Sequence, residues 1–301
     1  MKILVKVPAT SANLGPGFDS LGLALDLWNE TTITLAIEFS VRIKGEGAGK
    51  LSTDKNNLIF CAARKLAELA GRSLPAFHAD CVNQIPLSSG LGSSAAATLT
   101  GLLAANALLG NPFLREEILG LATEIEGHPD NVAPALLGGL VVSTLAEGKV
   151  IAHKIVFAEN APPLHVTFAL PDFHLPTKEA RAALPNHVSM QNAVDNISRA
   201  VLVTEAFRTG DLDLLGKAMT DTLHQPYRLP LIPGAQSAMD AAKQAGASAV
   251  ALSGAGPSLI TFSSKAEAGI GESMRRAFEA AGLTARIFHL GVSSHGAEIQ
   301  I

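Results

Sequence analysis

The chain has only two cysteines in 301 residues, Cys61 and Cys81. Neither forms a metal-ligand spacing with the other or with a nearby histidine pair, so both read as small buried apolar residues of a reducing compartment. The N-terminal "MKILVKVPAT" lacks the long apolar core and cleavage site of a secretory signal and reads as a strand. A cytoplasmic protein is expected. Clusters of one charge sign are missing too. With 23 basic and 27 acidic residues the net charge is -4, which leaves no electrostatic footprint for nucleic acid. The acidic excess is too small and too scattered for a disordered tail. No internal repeat and no low-complexity segment is present.

What is there suits a soluble globular chain: 48% hydrophobic and 17% charged residues, long enough for one large domain or two smaller ones. One further absence is informative. No charged residue occurs between Asp80 and Arg115, and the interval holds "PLSSGLGSSAAATLTGLLAANALLG". Its apolar part, 95–110, is shorter than the roughly 20 residues of a membrane span. It also carries Thr98, Thr100 and Asn106, has no basic or aromatic flank, and ends on Gly-Asn-Pro. Ala and Leu favour helix throughout. A buried central helix is predicted, with no membrane partner.

Periodicity predicts an α+β chain. β-branched runs place strands at 3–7, 31–36 and 41–44, and further strands fall at 76–83 and 139–144. Helices are predicted at 58–70, stopping at Gly71, and at 115–126. A composition shift at 160–163, "NAPP", divides the chain into 1–160 and 161–301. The second half opens on the strand "LHVTFALP" and continues with helices at 190–208 and 212–222. After the loop "HQPYRLPLIPG" come helix 235–245, strand 249–253, the turn "GAGPS", strand 259–263, helix 266–281 and strand 285–290. The tail from Gly291 is expected to fray.

The Gly-Ser turn at the start of the buried helix has its own chemistry. Backbone N–H groups of a first helical turn have no helical acceptor, and the dipole adds a positive end. Gly90 and Gly92 let the backbone close on a ligand, and Ser93 and Ser94 offer hydroxyls for phosphate oxygen or magnesium. This is an anion-binding device of the phosphate type. The plainer alternative is a Ser-Gly loop that merely caps a core helix, and the lysine of a Walker A loop is absent.

"PLSSGLGSSAA" at 86–96 resembles the central signature of the GHMP kinases, the superfamily of galactokinase, homoserine kinase, mevalonate kinase and phosphomevalonate kinase. "SGAGPS" at 253–258 resembles its C-terminal glycine motif. "PATSANLGPGFDSLG" at 8–22 and "EGHPDNVAPALLGG" at 126–139 resemble the homoserine kinase branch. The four segments lie in the family's order and spread over nearly the whole chain.

The resemblance implies the two-domain GHMP-kinase fold: an S5-like, ATP-binding N-terminal domain over 1–160 and an α+β C-terminal domain over 161–301. It implies ATP-dependent phosphorylation of the hydroxyl of L-homoserine, with Mg2+. A homodimer is expected as the commonest oligomer. ATP would lie on Pro86, Leu87, Ser88, Ser89, Gly90, Leu91, Gly92, Ser93, Ser94, Ala95 and Ala96. Asn57, in "DKNNL", is a base contact or an ordinary polar turn.

Phosphoryl transfer is positioning and charge neutralisation, so a metal ligand and cations matter more than a nucleophile. By resemblance Glu126 joins Ser94 as the metal pair, with Glu124 as its neighbour and rival. An amino-acid acceptor needs a cation for its carboxylate, which Arg181 and Arg228 would supply through guanidinium forks. Asn13 and Asp19 would hold its hydroxyl or amino group, and His128 and Thr177 would complete the pocket. Asn131 is placed near the transferred group. Asp130 is either a general base or none is used. A related kinase for another small alcohol and a non-catalytic binding protein of the same fold are the alternatives.

Overall fold

The computed structural model describes residues 2–266 and 268–301. Alternation builds the first half of the first strand: in β1 (Lys2–Ala12), Ile3, Val5 and Val7 turn inward while Leu4 and Lys6 between them are half-buried, and from Val7 to Ala12 every residue is buried. β2 (Leu21–Leu35) runs antiparallel along it, with a register shift between Pro8 and Ala9, where proline lacks the N–H that pairing needs. Both strands extend well past the predicted 3–7 and 31–36. The first motif therefore begins inside the sheet.

β3 (Ser40–Gly45) and β4 (Phe77–Asn83) are parallel, and α1 (Leu58–Leu69) lies on the connection between them. Then comes α2 (Ser93–Leu108), with twelve of its sixteen residues buried. It lies so close to α1 that a Cβ on Gly101 would sit 2.1 Å from the Ile59 carbonyl oxygen. Among the described residues no helix is long and apolar enough to cross a membrane. α3 (Arg115–Glu126) follows as predicted, and α4 (Pro129–Leu137) does not appear in the sequence reading. Pro129 opens that helix at a position whose N–H has no helical acceptor anyway. A hairpin of β5 (Leu140–Ala146) and β6 (Lys149–Ile155) joins β2; its second strand is also new.

The second half runs β7 (His165–Pro171), α5 (Thr177–Ala182), α6 (Met190–Thr209) and α7 (Leu212–Ala218). The last of these stops short of the predicted 222. Asp221 nucleates a turn there, its carboxylate accepting from the N–H groups of Leu223, His224 and Gln225. The expected loop at 224–234 contains α8 (Gln225–Arg228) and a 3-10 turn. α9 (Ala235–Gln244), β8 (Ala249–Leu252), β9 (Leu259–Ser263), α10 (Ala268–Ala280) and β10 (Ala285–Leu290) complete it. The start of the predicted helix 266–281 includes Glu267, which lies outside the described residues.

The tail is not frayed. β11 (Glu298–Gln300) pairs with β1, and Arg115 Nη2 donates to the carbonyls of Leu136 and Ala297 at 2.6 and 3.1 Å. The first sheet is thus ordered β11-β1-β2-β4-β3, with the β5–β6 hairpin also on β2, and the second β10-β7-β9-β8. One hydrophobic core runs through both: Phe168, Phe207 and Phe262 cluster with Leu14, Leu21 and Leu91. The cleft between the halves therefore has walls anchored in common packing.

Candidate active site

The cleft is organised around the start of α2. Gly92 caps it in the left-handed conformation (φ 70°, ψ 27°), and no side chain accepts from its first turn. By contrast Asn57, Ser189 and Asp211 each cap their own helices, α1, α6 and α7. The first intrahelical bond of α2 runs from the Ala96 N–H to the Gly92 carbonyl. The N–H groups before it have no helical partner, and Gly92, Ser93, Ser94 and Ala95 line a cavity of about 250 Å³.

The glycines have a different reason from the one the sequence suggests. A Cβ on Gly92 would lie 2.1 Å from Thr10 Oγ1, and one on Gly90 2.4 Å from the Ser253 carbonyl oxygen. Neighbouring protein, not only a ligand, forbids side chains there. Ser89 also turns away from its expected task. Its hydroxyl donates to the Pro86 carbonyl at 2.8 Å and accepts from the Leu91 N–H at 3.2 Å. Leu91 and Ala96 are core residues, and Pro86 is buried away from this cavity.

Glu126 stands at the last turn of α3, where Oε1 accepts from Ser94 Oγ at 2.9 Å and from Thr98 Oγ1 at 2.6 Å. Glu124 instead points to Lys65, 3.2 Å away. Oxygen donors and one carboxylate suit a hard cation such as Mg2+ that keeps waters and phosphate oxygens as its other ligands. No cluster of three acidic, His or Cys residues that would make a complete protein cage exists among the described residues.

The acceptor end lies across the same cavity. Asn13, Asp19, His128, Asp130, Asn131, Thr177, Arg181 and Arg228 all reach its wall. Asn131 Oδ1 accepts from Thr10 Oγ1 at 2.9 Å, which orients the amide. His128 Nδ1 lies 2.5 Å from Asp130 Oδ1, and that bond raises the imidazole pKa against the opposing effect of burial. Arg181 is already paired: its two terminal nitrogens donate to the two Asp19 oxygens at 3.0 and 2.8 Å.

Arg228 is different. It is 1% exposed, and its donors reach only neutral acceptors: the Ala180 carbonyl at 3.2 Å, the Gly254 carbonyl at 3.3 Å and His224 Nδ1 at 3.3 Å. Among the described residues no carboxylate lies within ion-pair distance of it. Burial, helped by the charge of Arg181, pushes its pKa down to about 10, so it remains a cation at neutral pH. A buried, unneutralised guanidinium is costly unless an anion arrives.

The C-terminal glycine turn braces both loops. Ser253 Oγ donates to the Gly90 carbonyl at 2.7 Å, and Asn13 Nδ2 donates to the Gly254 carbonyl at 2.7 Å. Beside the polar cavity a second one, about 360 Å³, shares Ser88, Ser93 and Ser94 and has apolar walls from Ile43, Leu51, Leu58 and Ala97. Asn57 lines it. Its amide is engaged locally, capping α1 through the Ile59 N–H at 3.0 Å and donating to the Ser52 carbonyl at 2.7 Å.

Known proteins resolve what class of cleft this is. Residues 57–139 match the GHMP kinases N terminal domain, and residues 203–280 match the GHMP kinases C terminal domain. Homoserine kinase of Moorella thermoacetica is 45% identical, over 98% of this chain and 99% of its own length. Homoserine kinase of Carboxydothermus hydrogenoformans is 44% identical over 98% and 96%. The chain belongs to the homoserine kinase family of the GHMP kinases. The crystal structure of homoserine kinase from Cytophaga hutchinsonii superposes with a TM-score of 0.86 at 32% identity, over 99% of this chain and 97% of that one. A mevalonate kinase at 16% identity, TM-score 0.70, shares the fold.

Within a kinase of this family several residues the sequence reading overlooks stand close to the chemistry. Thr10 orients Asn131, Thr98 holds Glu126, and the ring of Phe18 lies under both guanidinium groups, at 5.8 Å from Arg181 and 5.1 Å from Arg228. Thr10 and Phe18 both lie within the first motif, 8–22, but nothing in it marks them out from their neighbours, and Thr98 in a buried helix carries no local signal.

Proposed function

We propose that the chain transfers the γ-phosphoryl group of ATP to the side-chain hydroxyl of L-homoserine, yielding O-phospho-L-homoserine and ADP. One observation carries the acceptor assignment: Arg228 is buried without a counter-charge and faces the same cavity as the uncapped start of α2. A carboxylate would satisfy it. The Asp19–Arg181 pair offers both signs beside it, which fits the ammonium and carboxylate of an amino acid.

In this reading the triphosphate lies along Ser88–Ala95, received by backbone N–H groups and the helix dipole. The base enters the apolar second cavity. Ser94 and Glu126 hold Mg2+, which supplies neutralisation of charge on the phosphate oxygens when bound. The acceptor oxygen forms a bond to the γ-phosphorus as the bond to the bridging oxygen breaks, and ADP departs with that oxygen. Asn131, fixed by Thr10, sits beside the transferred group. The hydroxyl proton leaves late, to an oxygen of the transferred phosphoryl group and from there to solvent, as a loose transition state allows, so no carboxylate base is required. Asp130 holds His128 instead. The enzyme is taken as a cytoplasmic homodimer, with its ATP-binding unit over 1–160 and the second unit over 161–301.

The test is a coupled ADP-release assay across homoserine, threonine, serine, mevalonate and galactose. Homoserine is expected to have the highest kcat/KM by at least tenfold. Equal or better turnover of mevalonate or galactose defeats the acceptor assignment, and no ADP release with any of them favours a non-catalytic binding protein.

A further inference from the structure

His224 caps α8 and its side chain is fully buried, outside the wall of the cavity. Its two ring nitrogens face different halves of the molecule. Nε2 lies 2.8 Å from the Gly15 carbonyl oxygen, which can only accept, so Nε2 bears the proton. Nδ1 then presents a lone pair, and Arg228 Nη1 lies 3.3 Å from it. Asp221 comes within 3.5 Å of Nε2, but its carboxylate is already taken by three backbone N–H groups.

Gly15 belongs to an unusual loop. Asn13, Leu14 and Gly15 have φ of 71°, 50° and 71°, and Asp19 has φ of 53°. Left-handed non-glycine residues are strained and persist only where the surroundings fix them. Here the fixing comes from the other half of the chain. Asn13 Nδ2 donates to Gly254, Asn196 Nδ2 donates to the Pro16 carbonyl at 2.7 Å, and His224 donates to Gly15. Two of these partners also touch Arg228: the Gly254 carbonyl, which accepts from Arg228 Nη1 at 3.3 Å as well as from Asn13, and His224, which does so through its side chain.

We propose that His224 is a positioning residue that sets the separation between Arg228 and the loop bearing Asn13 and Asp19, and thereby selects acceptors that carry an α-carboxylate. The inference rests on the homoserine reading above. The neutral ring is essential to it, because a second positive charge at Nδ1 would repel Arg228. Burial holds the imidazole pKa down, which keeps the ring neutral at working pH. The stack of His224 on Phe18, centroids 5.2 Å apart, offers the competing account, in which the ring is only packing.

His224→Phe separates the two, since it keeps the stack and removes both hydrogen bonds. We expect KM for homoserine to rise about tenfold or more, while KM for ATP and the inhibition constant of 3-aminopropan-1-ol, homoserine without its carboxylate, stay within about twofold, roughly the loss of one charge-assisted hydrogen bond. His224→Asn, whose Oδ1 reaches the Nδ1 position, recovers most of the loss. If the Phe variant does not fold, His224→Asn against His224→Gln carries the test, because Gln reaches only the Nε2 position and should lose the discrimination that Asn keeps. An unchanged homoserine KM in the Phe variant, an equal loss for homoserine and the analogue, or Asn and Gln variants that discriminate alike overturn the role of His224. Wild-type enzyme with no homoserine-dependent turnover defeats the acceptor reading itself, and this proposal with it.

Discussion

From Ser88 to Ala95 the nucleotide end of the cleft carries no charged side chain, whereas the acceptor end gathers Asp19, His128, Asp130, Arg181 and Arg228 around the same cavity. In the proposed reading the first end would receive a polyanion with dipoles, the uncapped N–H groups of a helix start, and the carboxylate of Glu126 would meet it only through a metal ion. A fixed cation there would grip ADP as firmly as ATP, and backbone donors leave the charge balance to a diffusible metal. In the same reading the second end would recognise a small zwitterion, for which dipoles are too diffuse. It holds full charges at fixed positions, one pair neutralised in advance and one guanidinium bonded only to neutral acceptors, with no ion-pair partner among the described residues.

The largest effect that would break this comparison is expected at Gly92. Any Cβ there meets Thr10 Oγ1 at 2.1 Å and Asn131 Oδ1 at 3.2 Å, on a backbone with φ of 70°. Gly92→Ala should displace the N–H cradle and the Asn131 amide together, lowering kcat/KM for ATP by about 10²–10³-fold, the usual loss for oxyanion donors. The strain should also lower stability, by roughly 1–3 kcal/mol. Calorimetry showing wild-type ATP affinity in this variant would remove the helix start from the nucleotide site.

The two ends also differ in how far sequence exposes them. The phosphate cradle is local: its glycines, serines and buried helix fall within about 25 consecutive residues, so turn chemistry and helix physics alone suggest an anion site. The acceptor end is assembled from positions 13, 19, 128, 181 and 228, and only resemblance to a family picks them out. What neither route shows is the packing behind them. That Gly92 is reserved for Thr10, that the Ser89 hydroxyl turns inward, and that Arg181 is already spent on Asp19 are facts of tertiary approach. The strands and long helices were legible from period and composition. Missed were the short elements β6, α5 and α8, together with α4, whose two prolines hide it, and β11, whose three residues have meaning only beside β1.

A middle-sized effect sharpens the contrast between the two arginines. Arg228→Leu removes the buried cation without a counter-charge, and a lost charged hydrogen bond in a closed site costs about 1.5–3 kcal/mol. Homoserine KM should rise by roughly 10- to 150-fold with ATP KM barely changed. The inhibition constant of 3-aminopropan-1-ol should move much less, because that molecule has no carboxylate to lose. Equal losses for both would make Arg228 a structural residue, bonded to Ala180 and Gly254 for the sake of the fold.

The smallest effect concerns the His128–Asp130 pair. The hydrogen bond His128 makes to the Asp130 carboxylate raises the imidazole pKa, with burial and the charge of Arg181 working against it. In the unfolded chain the imidazole titrates near about 6.5. A pKa raised on folding contributes stability that is fully present below that value and is lost as pH climbs through the folded pKa. His128→Gln keeps a neutral hydrogen bond to Asp130 but has no charge to gain. Wild type should therefore hold its greatest advantage in Tm over this variant at about pH 6, on the order of 2–4 °C for about 1 kcal/mol, and lose most of it by about pH 9. Thermal melts across that range decide the matter. An advantage that is flat, or that grows with pH, would mean that His128 sits beside Asp130 as a neutral ring, and the acceptor end would then hold one charge pair fewer than its geometry implies.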